Sequence, residues 1–155
     1  MTGRSGGLFF AASAALLFFT ALYGAEHECS GCGTSKLMVQ CDYYVVRRGD
    51  LSKSGFCENY AKALDAPGTH AKAAWYYLLG QKPQMAQRSA IAAIEEGQIY
   101  AAEYAAEASV IFHEYKAAKK YMKMLPKDFL KSAGFKKDLE ILGNIYPDVD
   151  FSRIE

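Results

Sequence analysis

The sequence predicts an all-α protein made of stacked antiparallel helix hairpins, preceded by an N-terminal export segment. Three observations lead to this fold class. After residue 35 the chain is rich in Ala, Leu, Lys, Glu, Met and Gln, which are good helix formers. Residues that end helices, mainly Gly and Pro, come singly and at regular intervals. The chain also resembles itself at a 32-residue shift.

The N-terminal segment 1–25 differs in kind from the rest of the chain. Arg4 is its only charged residue, and an apolar run, Leu8–Leu22, follows it. The run is as long as the apolar region of a signal peptide, whereas a bilayer-spanning helix needs roughly 20 residues. The segment ends at small Ala25, although bulky Tyr23 would occupy the third position before a cut there. Residues 1–25 are predicted to be a signal peptide or, if uncleaved, a membrane tether.

The remaining chain, 26–155, is long enough for one domain and carries no net charge. Removing Arg4 from the 18 basic residues leaves 17, which balance the 17 acidic residues. A nucleic-acid-binding protein would show an excess of basic residues. The neutral total therefore argues against a nucleic-acid partner, and it gives no reason to expect attraction to anionic lipid.

All four cysteines lie near the start of the mature chain, at Cys29, Cys32, Cys41 and Cys57. An even number in an exported protein indicates disulfides, and three pairings of four cysteines exist. The spacing C-x2-C-x8-C-x15-C would also suit zinc or an iron–sulfur cluster, and a C-S-G-C pair could be redox-active. Gly33 stands where covalent haem attachment would require histidine. We expect two disulfides and no metal or cofactor.

The helix formers and breakers define the predicted elements. Helices are expected near 36–48, 52–65, 69–79, 83–96, 99–113 and 116–125, followed by a broken helix over 127–142 that is interrupted or bent at Gly134.

The 32-residue shift pairs these helices into hairpins. It aligns Gly49, Gln81 and His113, each at a turn between two helices. Within the helices it aligns mostly small residues in four sets: Ser54, Ala86 and Ala118; Ala61, Ala93 and Leu125; Cys41, Ala73 and Ala105; Asp42, Ala74 and Ala106. Small residues at matched positions let helices approach closely, so the pattern favours stacked hairpins that share a core. A plain helical bundle is the alternative architecture.

This pattern resembles the tetratricopeptide (TPR) and Sel1-like superfamily over residues 35–130. The segment R-G-D-L-S-K-S (48–54) resembles the inter-helix turn of that family, and A-K-A-L-D-A-P (61–67) resembles a closing second helix. The 32-residue period is shorter than the one usual in the family, and Asp42 stands at a position that is normally small. The resemblance implies three hairpins over 35–130. Residues 26–34 would form a cysteine-containing segment, and 131–155 a capping helix and tail.

The resemblance also suggests a disulfide and a function. It places Cys41 midway along the first helix and Cys57 early in the second, so we hypothesise that they form a bridge across this hairpin. Cys29 and Cys32 would then pair with each other or tie down the N-terminal segment. TPR-like proteins bind peptides in a groove lined by the first helix of each hairpin. Carried over, that groove would contain Tyr43, Arg47, Trp75, Tyr100, Glu103 and Glu107. Alternatively, Tyr43 and Trp75 fill gaps between hairpins.

No catalytic motif is found in the sequence. It contains no Gly-rich phosphate loop, no G-x-S-x-G elbow and no H-E-x-x-H. His113 is expected to face solvent at a helix end, and His70 to be exposed. Glu103 and Glu107 share a helix face and could act as an acid–base pair if buried, but this face is expected to be solvated.

We therefore expect a non-enzymatic scaffold or interaction module with a protein partner, in the periplasm or secreted. The alternative is a thiol–disulfide or metal-handling protein that uses Cys29 and Cys32.

Overall fold

Seven α-helices make up most of the chain that the structure describes. A computed structural model describes residues 32–154 and gives no strand within that range, which confirms the predicted all-α class. The predicted signal segment 1–25, His27 and Cys29 lie outside the described residues, and of Cys32 only the backbone is described. The helices are α1 (Cys32–Cys41), α2 (Gly55–Leu64), α3 (His70–Leu79), α4 (Pro83–Glu95), α5 (Ala102–Ile111), α6 (Tyr115–Met122) and α7 (Ala133–Ile145).

The core lies where consecutive helices pack on one another. From α1 to α6 each helix contacts the next, and α3 also contacts α5 and α7. The 3-10 turn Phe151–Ile154 packs on α5 and α6, with both of its terminal side chains buried. Helix α5 is the most enclosed element, because between residues 101 and 110 only Tyr104 is partly accessible.

Alanine is the most frequent residue in the described core and accounts for 12 of its 28 buried hydrophobic positions. The sets that the 32-residue shift aligns are largely buried, with no exposed surface at these members: Cys41, Ala73 and Ala105; Ala86 and Ala118; Ala61 and Ala93; Ala74 and Ala106. Methyl side chains allow helix axes to approach closely. The alanine-rich composition is therefore used for packing and not only for helix propensity.

The three aligned turn positions have the same left-handed backbone conformation. Their φ angles are +64° at Gly49, +58° at Gln81 and +60° at His113. Left-handed residues after a helix let the last carbonyls accept hydrogen bonds. Lys82 N donates to Tyr77 O (2.8 Å), and Glu114 N donates to Ser109 O (2.8 Å) in the same way. Gln81 and His113 thus adopt a conformation that usually requires glycine.

The segment before Gly49 differs from its counterparts and from the sequence-based expectation. The sequence predicts a regular helix over 36–48, but the α-helix ends at Cys41 and continues as a π-helical turn, Asp42–Arg47. The hydrogen bond that closes this helix end therefore spans one residue more than its counterparts. Asp50 N donates to Tyr44 O, six residues back, whereas Lys82 N and Glu114 N donate to carbonyls five residues back. A π turn absorbs one extra residue in a helix. Composition gives no signal for such a turn, which is why sequence reasoning missed it.

The predicted bend at Gly134 is also wrong. Helix α7 begins after Ser132, whose hydroxyl accepts a hydrogen bond from Phe135 N (3.2 Å), and Gly134 lies in the first turn. A 3-10 turn, Phe129–Lys131, precedes this start. A serine N-cap starts a helix more effectively than a single glycine interrupts one.

The hypothesised bridge between Cys41 and Cys57 is confirmed. The two Cα atoms lie 4.8 Å apart, and both side chains are completely buried. The bridge joins the end of α1 to the first turn of α2.

Replacing Gly80 by alanine should destabilise the protein by about 1–3 kcal/mol, because a Cβ atom there would overpack the α2–α3 contact. That atom would lie 2.9 Å from the backbone nitrogen of Glu58 and 3.1 Å from its Cα, and backbone cannot rotate away. Gly80 has φ −81°, so alanine would meet no backbone strain. The urea midpoint of Gly80→Ala measures the effect. Gly143→Ala, in an open position of α7, should be neutral or stabilising, and equal losses in both variants would contradict the close-approach argument.

Candidate functional site

A cavity of about 580 Å³ opens between the π turn, α3 and α7. Two residues of the predicted groove, Arg47 and Trp75, line it. The charged and aromatic side chains around it are Asp42, Arg47, Trp75, Tyr76, Lys137, Asp138 and Glu140. We call it the α3–α7 cavity. It combines an aromatic wall with charges of both signs, as sites that recognise polypeptide often do.

Helix α7 supplies one whole wall of this cavity, which sequence reasoning did not foresee. Lys137, Ile141 and Asn144 are spaced at i, i+4 and i+7, so they share one face of α7. The sequence predicts only a capping helix in this region. The sequence does show polar and apolar residues at helical spacing along this segment. It does not show which other helix that face of α7 contacts.

Two other residues of the predicted groove lie away from the cavity. The Tyr43 side chain is 45% exposed, and its hydroxyl accepts a hydrogen bond from Arg48 (3.1 Å). Tyr100 is 59% exposed and lies against Phe129, with ring centroids 5.8 Å apart. The structure therefore brings together Arg47 and Trp75 at the cavity but not the two tyrosines.

The remaining two predicted residues, Glu103 and Glu107, do not line the cavity and are buried rather than solvated. Only 5% of Glu103 and none of Glu107 is exposed. Within the described part of the chain, one carboxylate oxygen of Glu103 and both of Glu107 have no hydrogen-bond partner. The expected solvated face is wrong because the neighbouring alanines pack α5 against helices on several sides.

Burial controls the titration of this acidic pair and of the cavity residue Asp138. It raises the pKa of Glu103 to about 8, and the nearby Asp138 carboxylate adds to the effect. Burial raises the pKa of Glu107 well above its usual range, with smaller contributions from the charges of Glu103 and Asp138. Burial also raises the pKa of Asp138, which Lys137 partly opposes. Mutually repelling buried carboxyls favour the protonated form at neutral pH.

The aromatic wall connects this acidic group with the cavity. The Trp75 and Tyr104 rings lie 5.9 Å apart at their centroids. Burial, followed by the charges of Glu103 and Glu107, raises the pKa of Tyr104. Tyr76, the next residue of α3, donates a hydrogen bond to Asp42 (3.3 Å), which holds that carboxylate at the cavity wall. Contacts within the protein therefore hold Trp75 and Asp42 at the cavity wall.

A second polar cluster, centred on Asp65, was missed entirely by sequence reasoning. Asp65 follows α2 and accepts hydrogen bonds from Tyr77 Oη (3.2 Å) and Ser89 Oγ (2.8 Å). His70, expected to be exposed, has only 18% of its side chain accessible. Its Nδ1 lies 2.8 Å from Asp65 and its Nε2 lies 3.5 Å from Glu96. The cluster joins α2, α3 and α4.

The Asp65 cluster is arranged as a structural connection and not as a nucleophile with its base. The Ser89 hydroxyl donates to Asp65 and not to His70, so the imidazole is not placed to take its proton. His113, as expected, is exposed after the end of α5, where its ring contacts Tyr115.

Within residues 32–154, no group of three or more His, Cys, Asp or Glu side chains is arranged to hold a metal ion. The helices of that same range also lack the combination of length and apolarity that a membrane crossing requires. Comparisons with models of known protein families, with characterised proteins and with solved structures find no match to this chain.

Proposed function

We propose that this chain is an exported, non-enzymatic helical-repeat protein that binds another protein through the α3–α7 cavity. The observation that carries this proposal is the composition of the cavity walls. Trp75 presents a half-buried aromatic side chain, and Asp42 on the π turn and Asp138 on α7 provide carboxylates. Aromatic residues in partly enclosed sites supply much of the binding energy in protein interfaces. A polypeptide segment with an apolar and a basic side chain would match these walls.

The repeat architecture rests on recurring backbone and packing features. We propose that α1–α2, α3–α4 and α5–α6 form three stacked hairpins like those of TPR or Sel1-like proteins. The shared left-handed turns and the buried alanines at 32-residue spacing support this arrangement. In such a solenoid α1, α3 and α5 would line the concave groove. Because α7 contacts α3, it would cover part of that groove and leave the cavity as its accessible part.

Export to the periplasm or the cell exterior is part of the proposal. The buried Cys41–Cys57 bridge supports it, because disulfides persist in oxidising compartments. The predicted signal at residues 1–25 would deliver the chain there.

Site-specific photocrosslinking in native cells tests the proposed binding site. A photoreactive residue at Asn144, which is exposed and lines the cavity, should yield an adduct with one defined protein. The Trp75→Ala variant should lower that yield at least tenfold, because loss of an aromatic hot spot costs about 2 kcal/mol. Immunoblotting and mass spectrometry quantify the adduct.

Tyr43→Ala is the matched control, since it removes an exposed aromatic residue that does not line the cavity. Circular dichroism establishes that both variants keep their helical content. Equal adduct yields from Trp75→Ala and Tyr43→Ala would show that the cavity is not the binding site.

A thiol–disulfide or metal-handling role remains the second candidate function. The pairing of Cys41 with Cys57 favours it in one respect, since it leaves Cys29 and Cys32 as the remaining pair of the four cysteines. A redox titration distinguishes this role from that of a scaffold. A Cys29–Cys32 bridge that is reduced near the potential of thioredoxin would support the thiol–disulfide role.

A further inference from the structure

The neutral total charge conceals a strongly basic segment between α5 and α7. Residues 115–131 contain six lysines, no arginine and a single acidic residue, Asp128, which gives a net charge of +5. All six lysines are exposed. We call Lys116, Lys119, Lys120, Lys123, Lys127 and Lys131 the lysine surface.

Four of these lysines share one face of α6 and its C-terminal turn. Lys116, Lys119, Lys120 and Lys123 are spaced at i, i+3, i+4 and i+7, while Ala118 and Met122 face the core. An ordinary solvated face would mix charges in i, i+4 pairs of opposite sign. Here the i, i+4 pairs are lysine with lysine, which repel each other and weaken the helix. A negatively charged ligand would remove this repulsion.

Apolar side chains accompany the lysine surface. Phe129 lies between Lys127 and Lys131 in the sequence and packs inward on Phe135, with ring centroids 5.7 Å apart. The largely exposed Tyr100 ring packs against Phe129. Met124 is also exposed in this segment. Tyrosine and phenylalanine among lysines are typical of surfaces that lie in the interface of a bilayer.

We propose that the lysine surface binds the face of a membrane that contains anionic phospholipid, with the exposed Tyr100 ring entering the headgroup region. Lysine is depleted in protein–protein interfaces, where arginine is enriched, so a protein partner is disfavoured. Exclusive use of lysine suits diffuse attraction to many phosphates, whereas bidentate recognition of one phosphate uses arginine. This role is independent of the α3–α7 cavity and would hold the protein at a membrane while the cavity binds its partner.

Vesicle co-sedimentation tests the proposal with the exported form of the chain, bearing the N-terminus that it has in the cell. Vesicles of phosphatidylcholine with about one third phosphatidylglycerol should bind the protein, and binding should decrease steeply as salt is raised. The Lys119→Gln/Lys123→Gln variant should bind about 25-fold more weakly, because each lysine near an anionic surface contributes roughly fivefold. Tyr100→Ser should weaken the part of the binding that persists at high salt.

Lys36→Gln/Lys53→Gln is the matched control, since it removes the same charge from exposed positions near α1 and α2. Equal weakening by the two double variants would overturn the proposal. Equal binding to vesicles of phosphatidylcholine alone would do the same. Salt-dependent binding to duplex DNA without binding to the anionic vesicles would assign the lysine surface to nucleic acid instead and also overturn it.

Discussion

Raising the pH from 5 to 8 should lower the free energy of unfolding by on the order of 3 kcal/mol through Glu103, and Glu107 should add to this loss. Burial raises the pKa of Glu103 to about 8 and that of Glu107 well above its usual range, whereas both titrate near 4.3 in an unfolded chain. Between these values the folded state holds protons that the unfolded state has released. The contribution of these two groups to the free energy of unfolding is therefore fully present below about pH 4.5, and it is lost as the pH rises toward 8.

Other carboxylates set the acidic limit of this stability range. A hydrogen bond from Lys62 lowers the pKa of Glu58, so this group contributes stability that is lost as the pH falls through its folded-state pKa. Asp138, whose pKa is raised by burial, acts in the same direction as the buried pair. We expect maximal stability near pH 5.

Urea unfolding at pH 5, 6, 7 and 8 measures the predicted slope. Glu103→Gln/Glu107→Gln keeps the size of both side chains and removes their titration, so its stability should change little over this range. At pH 8 this variant should be more stable than the natural chain. Exposed Glu95→Gln is the control and should retain the natural slope. If the free energy of unfolding changed with pH in the same way for the natural chain and the double variant, titration of Glu103 and Glu107 would not be the cause.

The helices and their turns could be predicted from the sequence because their signals are local. Alanine-rich segments form helices wherever glycine and proline do not end them, and this condition located α2 to α6 to within a few residues, whereas the end of α1 and the start of α7 were misplaced. The turn positions followed from self-similarity, although Gln81 and His113 lack the expected glycine. Their left-handed conformation is fixed by the packing of the two flanking helices, which overrides the preference of the single residue.

The features that sequence reasoning missed depend on contacts between distant segments. Glu107 carries the same local pattern as an exposed glutamate, and only the enclosure of α5 shows that it is buried. Asp65 and Ser89 are 24 positions apart and meet only when α2 and α4 come together. The packing of α7 on α3 likewise creates the cavity wall, and the packing of α6 on α5 decides which of its side chains face solvent. Burial and side-chain pairing are therefore properties of the assembled fold.

Removing the Cys41–Cys57 bridge should destabilise the protein by about 3 kcal/mol, the value for a closed loop of about 15 residues in the chain-entropy model. For a domain of this size the midpoint of thermal unfolding should fall by roughly 10 °C. The bridge is important because α1 lies at the end of the helix array that the structure describes and packs mainly on α2. At the equivalent positions of the second helix pair, Ala73 and Ser89 form no bridge, and Ser89 is held by its hydrogen bond to Asp65 instead.

Calorimetry of Cys41→Ala/Cys57→Ala measures this effect without a reductant, which would also act on Cys29 and Cys32. The Cys29→Ser/Cys32→Ser variant is the control and should keep most of the stability, since it leaves the buried bridge intact. Hydrogen exchange adds a spatial test. Loss of the bridge should expose the amides of α1 and the π turn first, while α5, enclosed on several sides, should stay protected. Uniform loss of protection across all helices would mean that the bridge stabilises the whole domain rather than the end of the array, and that the domain unfolds as one cooperative unit.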